Sequence, residues 1–263
     1  MQTRVDLNAD MGESFGAWRM GDDAALLDVV TSANIACGFH AGDPDVMAGA
    51  MAAAMARGVG IGAHPGFADL QGFGRRRIDM DRRSLGNMVA YQLGAAQAMA
   101  RAAGGRVRHL KLHGALANMA AADAGMARAC YEAALAVDPE IIVMVLAGTA
   151  QEVVAGELGA RIAREIFADR AYEDDGQLVD RRKPGAVIHD PDLAVRRILA
   201  MLDAGAIISE TGKRLPMQID TICLHGDGAE AVALARSLRA ALEAAGVMLK
   251  AFDGERQAPA GRG

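Results

Sequence analysis

Six short apolar runs in this chain each end in a cluster of His, Asp, Asn or Lys, and that placement constrains the fold more than any other feature. Val5-Asp6-Leu7-Asn8-Ala9-Asp10 leads into Gly12-Glu13, and Ile35-Ala36-Cys37 into Gly38-Phe39-His40 and Asp43. The pattern recurs at Ile61-Gly62-Ala63-His64, Leu110-Lys111-Leu112-His113, Ile166-Phe167-Ala168-Asp169-Arg170 and Ile222-Cys223-Leu224-His225-Gly226-Asp227. Polar groups gathered at the carboxyl ends of parallel strands are how a βα barrel builds an active site. The chain reads as an enzyme.

Strands are expected near residues 5–9, 35–37, 60–63, 109–112, 141–146, 162–167 and 221–224. Helical spacing of apolar residues fills 43–57, 84–103, 123–136, 192–203 and 228–245 between them. That alternation predicts a parallel sheet with outer helices, and seven strands make a TIM-like α/β barrel. A weak eighth strand is read at 206–209. No composition break marks a second domain within the 263 residues, so 1–253 is expected to be one catalytic domain. The last stretch, 254–263, is rich in Gly, Pro and Arg and is expected to be a disordered tail.

Composition removes several functions. A formal net charge of −5 offers no basic footprint for nucleic acid. Aromatics at 4% argue against a groove that stacks sugars or bases. Arginines 75, 76, 77, 82 and 83 are interrupted by Asp79 and Asp81 and read as a solvated loop. The three cysteines, 37, 130 and 223, are odd in number and far apart, and those in strands read as small hydrophobes. No apolar run approaches the roughly 20 residues of a membrane span, so a soluble cytoplasmic protein is expected. A homo-oligomer is compatible with all of this.

Asp6, Asn8 and Asp10 alternate and share one strand face, where carboxylates are costly unless paired, hydrogen-bonded or metal-bound. Asp10, nearest the strand end, is the strongest catalytic candidate. His40, His64, His113 and His225 all follow strands, where histidine can serve as acid, base or ligand. Asp10, His40 and His64 together are read as a divalent metal site. Lys111 and His113 share a face, which sets a cation beside a titratable ring. Asp10, His40, Lys111, His113 and Asp169 are therefore the expected catalytic residues. Asn8, Glu13, Asn34, His64, Glu165, Arg170, His225 and Asp227 are the expected substrate contacts, with Arg170 able to grip a carboxylate. His109 and His189 have poorer claims, one opening a strand and the other beginning a helix. Gly212-Lys213 lacks the spacing of a phosphate-binding P-loop. Loops 65–77 and 170–184, rich in Gly or charge, are expected at the catalytic mouth.

The same segments carry a resemblance. Asp6 to Glu13, Ser32 to Asp43, Gly62 to Gly66 and Gly72 to Arg76 resemble the LamB/YcsF family, whose members form one subunit of the bacterial ATP-dependent 5-oxoprolinase. So do His113 to Leu116, Phe167 to Tyr172 and His225 to Asp227, and the match runs from about residue 5 to about residue 250. The chain departs from the family pattern at Ala117, where a Tyr is usual, and at Gly228-Ala229, where Thr-Pro is usual. The resemblance implies a seven-stranded barrel akin to glycoside hydrolases and polysaccharide deacetylases. It implies cleavage of 5-oxo-L-proline to L-glutamate, with ATP as cosubstrate and two partner subunits. Two other readings compete: a metal-dependent deacetylase or carbohydrate hydrolase on the same barrel, and a non-catalytic subunit that presents substrate.

Overall fold

Alternation along β1 (Arg4–Met11) sets the architecture: Val5, Leu7, Ala9 and Met11 enter the main apolar core, while Asp6, Asn8 and Asp10 point the other way. The computed structural model describes residues 4–224 and 229–256. β2 (Ser32–Ala36), β3 (Gly60–His64), β4 (Val107–Lys111), β5 (Ile142–Leu146) and β6 (Arg161–Phe167) add to β1 in sequence order, all parallel. β7 (Ala206–Ile208) and β8 (Arg214–Pro216) form a separate antiparallel pair. β9 (Thr221–Leu224) then pairs with both β6 and β1 and closes a seven-stranded barrel. The expected eighth strand is thus β7, a hairpin arm outside the barrel wall.

Around the wall run α1 (Asp23–Leu27), α2 (Pro44–Ala56), α3 (Arg82–Ala102), α4 (Gly114–Ala122), α5 (Ala124–Val137), α6 (Ala150–Glu157), α7 (Pro191–Ala204) and α8 (Ala229–Ala244). Acidic N-caps start several of them: Asp43 accepts from Asp45 and Val46, Asp81 from Ser84, and Asp123 from Met126. None of the described helices is long and apolar enough to cross a membrane. β10 (Met248–Leu249) pairs with the start of β1, and β11 (Glu255–Arg256) runs antiparallel to the start of β6. Glu255 and Arg256, assigned to the tail by composition, therefore extend the sheet, while 257–263 lie outside the described residues.

Apolar burial lies mainly between strands and helices, and the lumen is largely polar. Its lowest layer centres on Asp6, which is fully buried. Thr31 and Ser32 donate to its Oδ1 at 2.5 and 2.7 Å, and the Thr221 hydroxyl donates to Oδ2. Below and beside it, Phe252 packs with Ile142, Met144 and Ala163 and closes the bottom. In the next layer Asn34 donates to Asn8 at 2.7 Å and accepts from His109 at 2.8 Å. His109 was expected to open its strand, but it is the middle residue of β4 and lies inside the barrel. A Cβ at Gly62, its neighbour on β3, would fall 2.0 Å from the His109 ring, so only glycine leaves room for that imidazole.

Burial raises the Asp6 pKa to about 6, against the opposing pull of the three hydroxyls and the more distant Arg108 on β4. The folded value lies above the unfolded value of about 3.9. Its contribution to stability is therefore complete below about pH 4 and is lost as pH rises through about 6. Two pKa units correspond to about 2.7 kcal/mol. The unfolding free energy of the wild type relative to Asp6→Asn should fall by about that amount between pH 4 and 7 in urea titrations. A pH-independent difference would show that the hydroxyl donors fully offset burial.

Candidate active site

Lys111 is the last residue of β4, and its ammonium sits at the top of the lumen with a side chain only 6% exposed. It lies 2.9 Å from Asp10 Oδ1, 2.8 Å from Glu165 Oε1 and 3.0 Å from Cys223 Sγ. Burial alone would favour the neutral amine, but the Asp10 and Glu165 carboxylates outweigh it and hold the lysine pKa well above its usual value. An unpaired ammonium there would cost several kcal/mol, so it is buried only with a carboxylate partner. Lys111 donates to Asp10 Oδ1, Cys223 Sγ and, at 3.4 Å, Asn8 Oδ1, and pairs by charge with Glu165, which makes it a fixed positive charge and not a proton donor. Cys223 was read from sequence as a small hydrophobe. Its thiol in fact caps the ammonium, and burial pushes its own pKa well up, so it stays neutral.

Above this triad lies a cavity of about 690 Å³. Asp10, Glu13, His64, Lys111, His113 and Glu165 form its inner lining. Phe73, Arg75 and Arg77 contribute from loop 65–77, and residues 176–182 from the second long loop, as expected of a mouth. The volume suits a small-molecule site.

Beside Lys111, His64 ends β3 and His113 precedes α4. The His64 Nδ1–H donates to the Lys111 carbonyl at 2.8 Å, and the His113 Nε2–H donates to the Phe73 carbonyl at 2.8 Å. A carbonyl can only accept, so both tautomers are fixed. Their other nitrogens, His64 Nε2 and His113 Nδ1, face each other at 3.0 Å. His40 stacks on His113 with ring centroids 3.7 Å apart, and neither of its buried nitrogens has a hydrogen-bond partner. Its Nε2 is 3.8 Å from Glu13 Oε1. Burial holds His40 well below the usual histidine pKa and lowers His113 to about 3, so both rings are neutral. Phe73 carries a left-handed φ of 52°, and Gly74 follows at 62°. A Cβ on Gly74 would fall 2.7 Å from His40 and 2.8 Å from His113, so this turn presses on both rings because it ends in glycine.

The expected residues thus separate into groups. Asp10, Glu13, His64, Lys111, His113, Glu165 and Arg170 reach the cavity. Asn8 and Asn34 do not: both are fully buried, Asn34 donating to the Asp10 carboxylate and Asn8 accepting from Asn34 and Lys111. Asp169 lies half-buried outside the cavity lining. Arg170 donates to the carbonyls of Val179 at 2.7 Å and Ala186 at 3.3 Å, so two of its nitrogens brace the second long loop while the residue lines the cavity. The metal set read from sequence shifts: Glu13, His40, His64 and His113 bring ligand atoms within 4.8 Å of one another and could hold an ion. Asp10 is instead held by Lys111 and Asn34 and meets this group through His64 Nε2 at 3.3 Å. His225 and Asp227 lie outside the described residues.

Comparison with known proteins agrees with this architecture. Residues 5–257 match the LamB/YcsF family. A protein from Ruegeria pomeroyi, named as a 5-oxoprolinase subunit, is 68% identical over 251 residues, covering 95% of this chain and 99% of that protein. The crystal structure of a lactam utilization protein from Thermus thermophilus is 44% identical, with a TM-score of 0.89, and covers 95% of this chain and all of the other. The catalytic domain of a peptidoglycan N-acetylglucosamine deacetylase from Eubacterium rectale shares the fold alone, at 9% identity and a TM-score of 0.52 over 96% of this chain and 89% of that one. A barrel matched nearly end to end, at this level of identity, places the chain in the LamB/YcsF family.

Proposed function

We propose that this chain is the lactam-handling subunit of an ATP-dependent 5-oxoprolinase, opening 5-oxo-L-proline to L-glutamate together with two partner subunits. The observation that carries the reading is Lys111, an ammonium fixed between Asp10 and Glu165 at the floor of a cavity of about 690 Å³. The names of the related proteins point the same way.

A five-membered lactam is a stabilised amide, and its carbonyl carbon resists water. Transfer of the γ-phosphoryl group of ATP to the carbonyl oxygen releases ADP and leaves that carbon open to attack. Water then adds, the C–N bond breaks, and the nitrogen takes a proton. The resulting acyl phosphate reacts with a second water to give glutamate and phosphate. Lys111 supplies a preorganised positive charge for the anionic phosphoryl group carried on the lactam oxygen, in a site already shielded from bulk water. Asp10, at the cavity floor, takes the proton of the attacking water. Arg75, Arg77, Arg181 and Arg182 line the outer cavity, where guanidinium groups favour the phosphates of ATP. The cysteines, all free and buried, are consistent with work in the reducing cytoplasm.

Asp10→Asn and Lys111→Met should each lower glutamate formation by roughly 100-fold or more, the scale of a lost base or a lost electrostatic group. Asp10→Asn should leave a cooperative melt, because Glu165 still pairs with Lys111. Wild-type turnover in both variants would overturn the assignment.

The chain alone should yield little glutamate from 5-oxoproline and ATP, with turnover appearing when both partners are added. Complete turnover by the isolated chain would show that the division of labour is wrong. In the assembled enzyme, replacing Arg77 and Arg182 together by Ala should raise KM for ATP by about 10-fold, the scale of a lost charge-assisted contact, with little change in KM for the lactam. An unchanged KM for ATP would place the nucleotide phosphates elsewhere.

A further inference from the structure

We infer that Glu13, His40, His64 and His113 form a binding site for one divalent transition-metal ion of the zinc class, with His64 Nε2 and His113 Nδ1 as its paired central ligands. The argument begins with tautomers. Each of these two rings gives its other N–H to a backbone carbonyl, of Lys111 and Phe73. With those bonds made, His64 Nε2 and His113 Nδ1 face each other at 3.0 Å, a contact that calls for a cation against both nitrogens. Metal-bound histidines are held in this manner, the second nitrogen tied to a carbonyl or carboxylate that fixes the ring.

Two further observations point to the same ligand. His40 is buried with both nitrogens unpartnered, a costly state for a polar ring unless something binds there. Its Nε2 and His113 Nδ1 lie 3.8 and 4.0 Å from the same Glu13 oxygen, so the carboxylate closes the set. Imidazole nitrogens with one carboxylate suit zinc and its neighbours better than magnesium or calcium, which favour all-oxygen shells.

The site is independent of the lactam reading, because ion binding is measured without turnover. The purified full-length chain, stripped with chelator, is titrated with Zn2+ by calorimetry and with Co2+ by visible absorption. One equivalent should bind per chain, and the cobalt complex should show ligand-field bands of a nitrogen-bound ion. Glu13→Gln, nearly isosteric, should weaken binding while retaining the wild-type fold. His113→Ala should weaken it by more than the roughly 10- to 100-fold that follows loss of a supporting outer partner. His189→Gln, at an exposed histidine, should bind as the wild type does. Absence of saturable uptake would mean that a shared proton, and no metal, bridges His64 and His113. Uptake undiminished in Glu13→Gln and His113→Ala would place the ion elsewhere. Either result overturns the inference.

Discussion

Burial of the Lys111 ammonium is the constraint on which the rest of the lumen depends. A charge at the top of a barrel must be met by charges and acceptors from several strands at once. Asp10 comes from β1, Glu165 from β6 and Cys223 from β9, so one nitrogen ties together strands that are distant in sequence. The acceptors need their own supports. Asn34 on β2 holds Asp10, Asn8 and His109, and Asn8 in turn donates to the Thr221 hydroxyl that holds Asp6. The polar column therefore runs from floor to mouth as one connected network, in which each member has a specified partner. Such a network specifies a single strand register, because a shift of one residue would turn all of these groups into the helix layer.

Close packing of small residues makes that column fit. The lumen of an ordinary barrel is filled by branched apolar side chains, whereas here Gly62 yields its volume to His109. Near the mouth, Gly66 and Gly74 do the same for His40, so three histidine rings share a space that ordinary side chains on those loops would occupy. The left-handed Phe73 and Gly74 bring a carbonyl onto His113 Nε2 and so decide which nitrogen of that ring faces the cavity. Backbone strain at this loop thereby serves to fix a tautomer.

Much of this was legible in the sequence, because strand alternation and strand-end chemistry are local signals. The period of two along Asp6, Asn8 and Asp10 correctly placed them on one inner face, and Lys111 with His113 led to the mouth. Other features depend on contacts between distant segments. Cys223 looked apolar because nothing beside it in sequence shows that Lys111 lies 3.0 Å away. Arg170 has carbonyl partners 9 and 16 residues further along, which its local sequence does not show. α4 went unread because Gly114–Ala122 is nearly all small and apolar and carries no amphipathic period. The eighth strand failed for a related reason: Ala206–Ile208 has strand chemistry, but its partner is the nearby Arg214–Pro216 and not the wall.

The arrangement separates two kinds of control over the same cavity. On one side, Lys111, Asp10 and Glu165 are fixed by strands, whose positions are set by the hydrogen-bonded wall and cannot move without breaking the column. On the other, Glu13 follows β1, His40 follows β2, and His113 stands at the entry to α4, all beyond the strand ends. The hairpin turn of Phe15 and Trp18 continues the Glu13 segment outward, and loop 65–77 continues to Phe73 and Gly74. A movement of these loops would therefore alter the histidine side of the cavity before it disturbed the lysine side. The fixed charge of Lys111 thus stands on the rigid frame, and the histidine cluster stands beside the loops that border the cavity.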